Sequence, residues 1–214
     1  MAHQGAGQGT EYLYRDATDD GSTWHHSFLL PPVLRALRDA GARSVLDVGC
    51  GHGAFTRRLS DAGFDTYGCD SSASGAAVAN KHAPGRFVQA SAYDDLTVLF
   101  KGHPRFDAVI AVEVIEHLFA PRDFVQRLHD ALEPGGTVIL TTPYHGYLKN
   151  VAVALSGKFD AHFSPLWDGG HIKFWSRRTL ADLLREKGFR DIRFEGAGRL
   201  PFLWRAMVMS ARRA

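Results

Sequence analysis

Between Asp47 and Asp70 the sequence lays out a cradle for a ligand. Glycines stand at alternate positions in Val48-Gly49-Cys50-Gly51-His52-Gly53, where residues without a Cβ let the chain bend from strand to helix and bring a ligand close to the main chain. Asp70 follows Gly51 by 19 residues. At that spacing an acidic side chain closing the next strand can accept hydrogen bonds from ribose hydroxyls. The dinucleotide fingerprint G-x-G-x-x-G asks for a third glycine, but Ala54 or Thr56 stands where it would fall. The phosphate-binding G-x-x-x-x-G-K-[ST] pattern is absent. Asp47, inside the turn, would repel a pyrophosphate and better suits a ligand with a cationic amino acid group.

The elements around this turn must place it at a sheet edge. Ser44 to Gly49 reads as a strand, Ala54 to Ala62 as a helix and Asp65 to Asp70 as a second strand. The alternation continues with a helix over Ala73 to His82, strands over Arg86 to Ala90 and Phe106 to Ala111, and a helix over Pro121 to Leu132. A turn at Glu133-Pro-Gly-Gly136 precedes a fifth strand, Thr137 to Thr142. Before all of these, Val33, Leu34 and Leu37 share a helical face that starts at Pro31 or Pro32 and stops at Gly41. Such alternation predicts a doubly wound α/β fold, a parallel sheet with helices on both faces. The pattern then breaks for about 35 residues rich in aromatics, His, Gly and Pro, partly helical, notably over Gly146 to Leu155. A helix over Arg178 to Lys187 and strands over Arg190 to Glu195 and Arg205 to Ala211 complete the chain. The expected organisation is a flexible leader at 1–10 and one domain at 11–214. Within that domain 44–143 is the ligand-binding half, 144–178 a cap, and 179–214 the closing helix and strands.

Composition narrows the class. The 214 residues are 45% hydrophobic and 22% charged, enough to bury a core and too apolar for wholesale disorder. A formal charge of +2 gives no sequence-wide reason to expect a nucleic-acid partner. The N-terminus lacks a signal-peptide pattern, and no apolar run approaches the roughly 20 residues that span a bilayer. Two cysteines, Cys50 and Cys69, make no disulfide scaffold. The expectation is a cytoplasmic protein, monomeric or homodimeric, with a small-molecule partner and no clear nucleic-acid or membrane partner.

Four segments in order carry a family resemblance. Asp47-Val-Gly49-Cys50-Gly51-His52-Gly53 resembles the first motif of class I S-adenosylmethionine-dependent methyltransferases, and Asp70 is similar to their ribose-binding acid. Glu113-Val-Ile-Glu-His117-Leu118 resembles the E-V-[LI]-E-H segment of the branch that includes ubiquinone-biosynthesis O-methyltransferases, and Leu132-Glu-Pro-Gly-Gly136 resembles its L-x-P-G-G turn. The resemblance implies a Rossmann-like, mostly parallel seven-stranded sheet whose last strand is antiparallel, with S-adenosyl-L-methionine across its carboxyl edge. Carried over by position, Asp47, Gly49, Cys50, Gly51 and Gly53 form the cofactor turn. Asp70 and Ser71 would meet the ribose, Ser91 and the Ala92 backbone the adenine, and Val112, Glu113 and His117 the methionine end. In much of the branch the third strand ends in Gly-Asp, whereas Ala90-Ser91 stands here.

For a hydroxyl acceptor the protein must align donor and acceptor and remove a proton, a task that suits histidine. Of the 11 histidines, His117 ranks first as a base, His145 second and His171 third. The aromatic and histidine residues Trp24, His25, Tyr144, His145, Tyr147, Trp167, His171 and Trp204 would line a pocket for a planar or apolar acceptor. No metal is expected, because Asp160, His162, Asp168 and His171 follow no regular ligand spacing.

Overall fold

Strand formation follows the apolar runs. In the computed structural model, which describes residues 24–163 and 165–214 and only the backbone of Trp24, β1 (Ser44–Val48), β2 (Asp65–Asp70), β3 (Phe87–Gln89) and β4 (Phe106–Val112) are followed by β5 (Leu132–Pro143), β6 (Phe189–Ala197) and β7 (Ala206–Arg213). They form one seven-stranded sheet in the order β3-β2-β1-β4-β5-β7-β6. Strands β1 to β5 pair in parallel, and β7 runs antiparallel to both β5 and β6. This is the Rossmann-like sheet the resemblance implies. The 1–10 leader and the Trp24 side chain lie outside the described residues.

Both faces are covered, and β4 shows how. Val109 and Ala111 point into one core with Phe124 and Leu128 of α4 (Pro121–Asp130) and Leu180 and Leu184 of α7 (Arg177–Glu186). Ala108 and Ile110 point into the opposite core with Leu29, Val33 and Leu37 of α1 (Trp24–Asp39) and Phe55 and Leu59 of α2 (Ala54–Asp61). Alternate residues of one strand thus serve two cores, so the run reads as continuously apolar. Each fully buried Leu or Val contributes about 1.5–3 kcal/mol over leaving it exposed.

Three boundaries differ from the sequence expectation. Helix α1 begins at Trp24 and carries Pro31 and Pro32 inside it. A proline there forfeits an intrahelical hydrogen bond, but Leu29 lies one turn before Val33 and is fully buried on the same face, so packing carries the helix across. Leu34, placed on that face from sequence, is only half-buried. Glu133 to Gly136 does not precede β5 but lies within it, because the ladder shifts register between the Phe106–Leu132 and Ala108–Thr137 pairs. Gly135 takes φ 77° in that irregularity. The cap contains α5 (Tyr147–Leu155), as expected, and a further short helix, α6 (Phe159–Phe163).

Candidate active site

The carboxyl ends of β1, β2 and β4 meet because the β1–β2 register sets Val48 opposite Cys69 and the β1–β4 register sets Asp47 opposite Ile110. Beyond β1 the chain turns through three left-handed glycines, Gly49 (φ 80°), Gly51 (φ 56°) and Gly53 (φ 78°). At Gly49 a Cβ would lie 2.5 Å from Val114 Cγ2, and at Gly53 it would lie 3.0 Å from Ala79 Cβ. At these two positions the fold itself, as well as any ligand, requires glycine. Cys50 has a half-buried thiol that burial keeps protonated.

Asp47 is 1% exposed. Its Oδ2 accepts a 2.6 Å hydrogen bond from the Thr56 hydroxyl, whereas its Oδ1 is buried with no hydrogen-bond partner. Burial first, then the charge of Asp70, pushes its pKa up to about 7 against the Thr56 hydrogen bond. Asp70 Oδ2 accepts from Gly51 N at 2.7 Å and its Oδ1 from Ser72 N at 2.8 Å. That clamp fixes the second turn against the first and leaves Asp70 half-exposed beside the exposed Ser71. Burial raises the Asp70 pKa, while the two backbone hydrogen bonds oppose the rise.

Beyond β3, Ala90 N donates to Asp70 O at 2.9 Å, which sets Ser91 and Ala92 next to β2. Ser91 is tied into its own turn: its N–H donates to Asp94 Oδ2 at 2.8 Å and its hydroxyl accepts from Tyr93 N at 3.2 Å. Asp94, which sequence reasoning passed over, therefore supplies an acid three residues beyond the place where the branch's Gly-Asp would put one.

Past Val112 the end of β4 is strained. Glu113 has φ 56°, a left-handed conformation that costs a non-glycine residue about 1–3 kcal/mol. Thr141 holds it: Glu113 N donates to the Thr141 hydroxyl at 3.0 Å, and that hydroxyl donates to Glu113 Oε1 at 2.9 Å. Burial pushes the Glu113 pKa up to about 7, against the pull of Thr141 and Lys149. The 3-10 turn Ile115–His117 follows.

Glu116 is fully buried, with no hydrogen-bond partner for either carboxylate oxygen. Burial and the neighbouring Glu113 push its pKa well up, and the nearby Thr142 hydroxyl only partly offsets them. The Glu116 carbonyl accepts from Ile172 N at 2.9 Å and Lys173 N at 3.0 Å, and so hangs the His171 segment over the turn. His171 Nε2 comes to 4.0 Å from Glu116 Oε1, and the His117 and His171 rings lie 4.8 Å apart. His117 Nδ1 donates to Gly169 O at 2.8 Å and Gly170 O at 3.2 Å, which leaves the lone pair on Nε2. Ligand atoms of Glu116, His117 and His171 fall within 4.8 Å of one another, a set that can hold a metal ion. The sequence signal for it, E-x-x-E-H with a histidine 54 residues later, has no local periodicity to betray it.

The remaining predicted residues separate into groups. Trp167 packs on His117 and His171, with ring centroids at 5.6 and 5.3 Å. His145 belongs to an aromatic cluster, stacked on Phe163 at 5.8 Å and edge-on to Phe174 at 5.2 Å. Burial and Lys149 depress its pKa to about 4, and burial together with His117 does the same at His171. Tyr144 and Trp204 pack together at 5.3 Å with Phe194, forming a corner of the sheet. His25 packs edge-on to Phe28 at 5.9 Å, and Tyr147 is 81% exposed. Lys149 of α5 is buried, its Nζ donating to Tyr144 O at 2.7 Å.

An open sheet of this order, with Asp47 near the end of β1 and Asp70 closing β2 beside a glycine turn, has the architecture that binds a nucleoside cofactor at its carboxyl edge. The profile of the family described as "Methyltransferase domain" matches residues 23–193, and the chain belongs to that family, among the class I S-adenosylmethionine-dependent methyltransferases. It is 28% identical over 166 residues to a ubiquinone biosynthesis O-methyltransferase of Ruegeria pomeroyi, covering 77% of this chain and 66% of that protein. It is 33% identical over 157 residues to the enzyme of the same name from Azorhizobium caulinodans, covering 72% and 60%. The chain thus spans about two thirds or less of the length of these relatives. Among solved structures, magnesium protoporphyrin IX methyltransferase from Synechocystis with bound SAH shares the fold at TM-score 0.65 and 20% identity, covering 89% of this chain and 84% of that one.

S-Adenosyl-L-methionine is the cofactor of this class, and the residues present fit it. The buried, unpartnered Asp47 Oδ1 is an acceptor awaiting a cationic donor, and the half-exposed Asp70 carboxylate keeps lone pairs beyond its two backbone hydrogen bonds.

Proposed function

We propose that this chain transfers a methyl group to a hydroxyl of a small aromatic or otherwise apolar acceptor. The observation that carries the reading is the gathering of Glu116, His117 and His171 beyond β4, the strand paired with the β1 that bears Asp47. When bound, S-adenosylmethionine supplies a methyl carbon activated by a positive sulfonium. Asp47 would hold its amino group, Asp70 and Ser71 its ribose, and Ser91 and Ala92 its adenine. Gly49, Cys50, Gly51 and Gly53 would form the turn around it, and Val112 and Glu113 would border the methionine end. Trp167 and His171 border the acceptor, with Tyr144, His145, Tyr147, His25 and Trp204 as the outer wall.

His117 Nε2 would take the acceptor's hydroxyl proton as the methyl–oxygen bond forms and the methyl–sulfur bond breaks, with S-adenosylhomocysteine as the leaving group. An imidazolium appears as the sulfonium charge disappears, so the net charge of the site is conserved. Burial lowers the His117 pKa, which keeps the ring neutral and ready to accept. A second reading is favoured by the unpartnered Glu116 carboxylate: Glu116, His117 and His171 would hold a divalent cation that acidifies the hydroxyl. Both readings predict that His117→Ala lowers kcat about 10²–10⁴-fold. Treatment with EDTA separates them. Loss of turnover restored by Mg²⁺ or Zn²⁺ supports the cation, and unchanged turnover supports the bare imidazole. Full activity in His117→Ala would contradict both.

A further inference from the structure

A second cleft lies at the outer edge of the sheet, beside β3 and the loop that leads into β4. Its volume is about 360 Å³, and its lining includes Tyr67, Arg86, Val88, Leu99, Lys101 and His103. Tyr67 is the floor, buried against the rings of Phe100 and Phe106 at 4.9 and 5.4 Å. A buried phenol needs a partner for its hydroxyl, and His103 Nε2 lies 2.8 Å from it. A phenol that donates to Nε2 leaves the proton of a neutral imidazole on Nδ1, as a donor. Over the same ring stands Arg86, its guanidinium carbon 4.3 Å from the centroid. Arg86 Nη1 donates to Asp65 Oδ1 at 2.5 Å, and among the described residues Nε and Nη2 have no partner. Asn80 of α3 (Ala73–His82) fixes the turn that carries this arginine: it accepts from Gly85 N at 3.0 Å and Phe87 N at 3.2 Å, and donates to Phe87 O at 2.6 Å. A larger cleft of about 550 Å³ between α1 and β6–β7 is spanned by the ion pairs Arg35–Glu195 and Arg193–Asp39, so two of its arginines are already neutralised. In the smaller cleft Arg86, Lys101 and His103 converge, and among the described residues no carboxylate lines the space.

We propose that this cleft binds the phosphate group of a small phosphate ester. The free Nε and Nη2 of Arg86 form a fork that matches two phosphate oxygens. Lys101 adds a charge on a long side chain, and His103 Nδ1 adds a hydrogen bond. Val88 and Leu99 give the organic part of the ester an apolar wall. This ligand is neither the cofactor nor the methyl acceptor: Arg86 precedes β3, whereas the cofactor cradle lies beyond the carboxyl ends of the strands. The ester and S-adenosylhomocysteine therefore bind at the same time.

Amide NMR on the full chain, titrated at constant pH with phenyl phosphate, inorganic phosphate and sodium chloride, reads the site directly. Phenyl phosphate should shift the Gly85, Arg86, Gly102 and His103 amides saturably, with a dissociation constant below about 1 mM. It should bind more tightly than inorganic phosphate and leave the Gly49, Gly51 and Gly53 amides in place. Arg86→Gln should weaken binding at least about tenfold, the loss of one charge-assisted hydrogen bond. Lys101→Gln, at an exposed position, should weaken it severalfold, and unchanged S-adenosylhomocysteine binding reports folding in both variants. No saturable shift, shifts that sodium chloride reproduces, or an affinity that survives both substitutions would overturn the site. A single-stranded oligouridylate that shifts the same amides at lower concentration than phenyl phosphate would overturn the small ester as its ligand.

Discussion

Asp47 must carry charge in a place that resists it. Its pKa stands near 7 in the folded chain against an ordinary 3.8. Between those values the folded chain holds a proton that the unfolded chain has released, so this group's contribution to stability falls as pH rises from about 4 to 7. Asp47→Asn, which keeps an acceptor for Thr56, should therefore gain on the native chain as pH rises. At about 1.4 kcal/mol per pH unit the relative gain between pH 5 and 8 is on the order of 2–3 kcal/mol, several degrees in Tm for a chain of this size. The same variant should bind S-adenosylhomocysteine less well. A Tm difference that does not change with pH would mean that Asp47 ionises normally. At the second acid, Asp70→Ala removes the clamp on Gly51 N and Ser72 N along with the acceptor for ribose. Titration calorimetry should show S-adenosylhomocysteine binding weakened by about 1–3 kcal/mol, and an unchanged dissociation constant would take Asp70 out of the site.

Among the elements, α7 shows local sequence and packing in agreement. Ser176 accepts from Thr179 N at 3.2 Å while the Thr179 hydroxyl accepts from Ser176 N at 3.1 Å, a reciprocal cap on a helix whose Leu180 and Leu184 are fully buried. Ser176→Ala should cost about 1 kcal/mol, or about 2–4 °C in Tm, and leave kcat alone; a larger loss of activity than of stability would tie the cap's orientation to turnover. Elements of this kind were legible in the sequence because their signals are local. The glycine turn, the acid at Asp70, and the alternation through β5 follow from spacing and period. What was not legible depends on contacts between distant residues. Nothing local to Pro31 and Pro32 shows that Leu29 will be buried and carry α1 through them. The antiparallel direction of β7 was implied by family resemblance, and its placement between β5 and β6 was not legible at all. His171 reaches Glu116 only through the hydrogen bonds of Ile172 and Lys173 to the Glu116 carbonyl.

At the scale of the whole molecule, the sheet's parallel half presents a nucleoside cradle, and the segment after β5 folds back over its carboxyl edge. Among the described residues no helix is long and apolar enough to cross a membrane. The relatives named as ubiquinone biosynthesis O-methyltransferases extend beyond the span this chain matches, so what they act on does not pass to it by similarity alone. The two halves of the site, cofactor cradle and histidine–carboxylate group, have a joint purpose only if the chain moves a methyl group from one to the other. That is most directly measured by incubating the chain with methyl-labelled S-adenosylmethionine and a panel of hydroxylated aromatics, then following label and S-adenosylhomocysteine together by mass spectrometry. The account predicts a labelled methyl ether formed in equal amount with S-adenosylhomocysteine. Tight cofactor binding with no label in any acceptor would contradict it and point to a regulator that keeps the fold and binds without turnover.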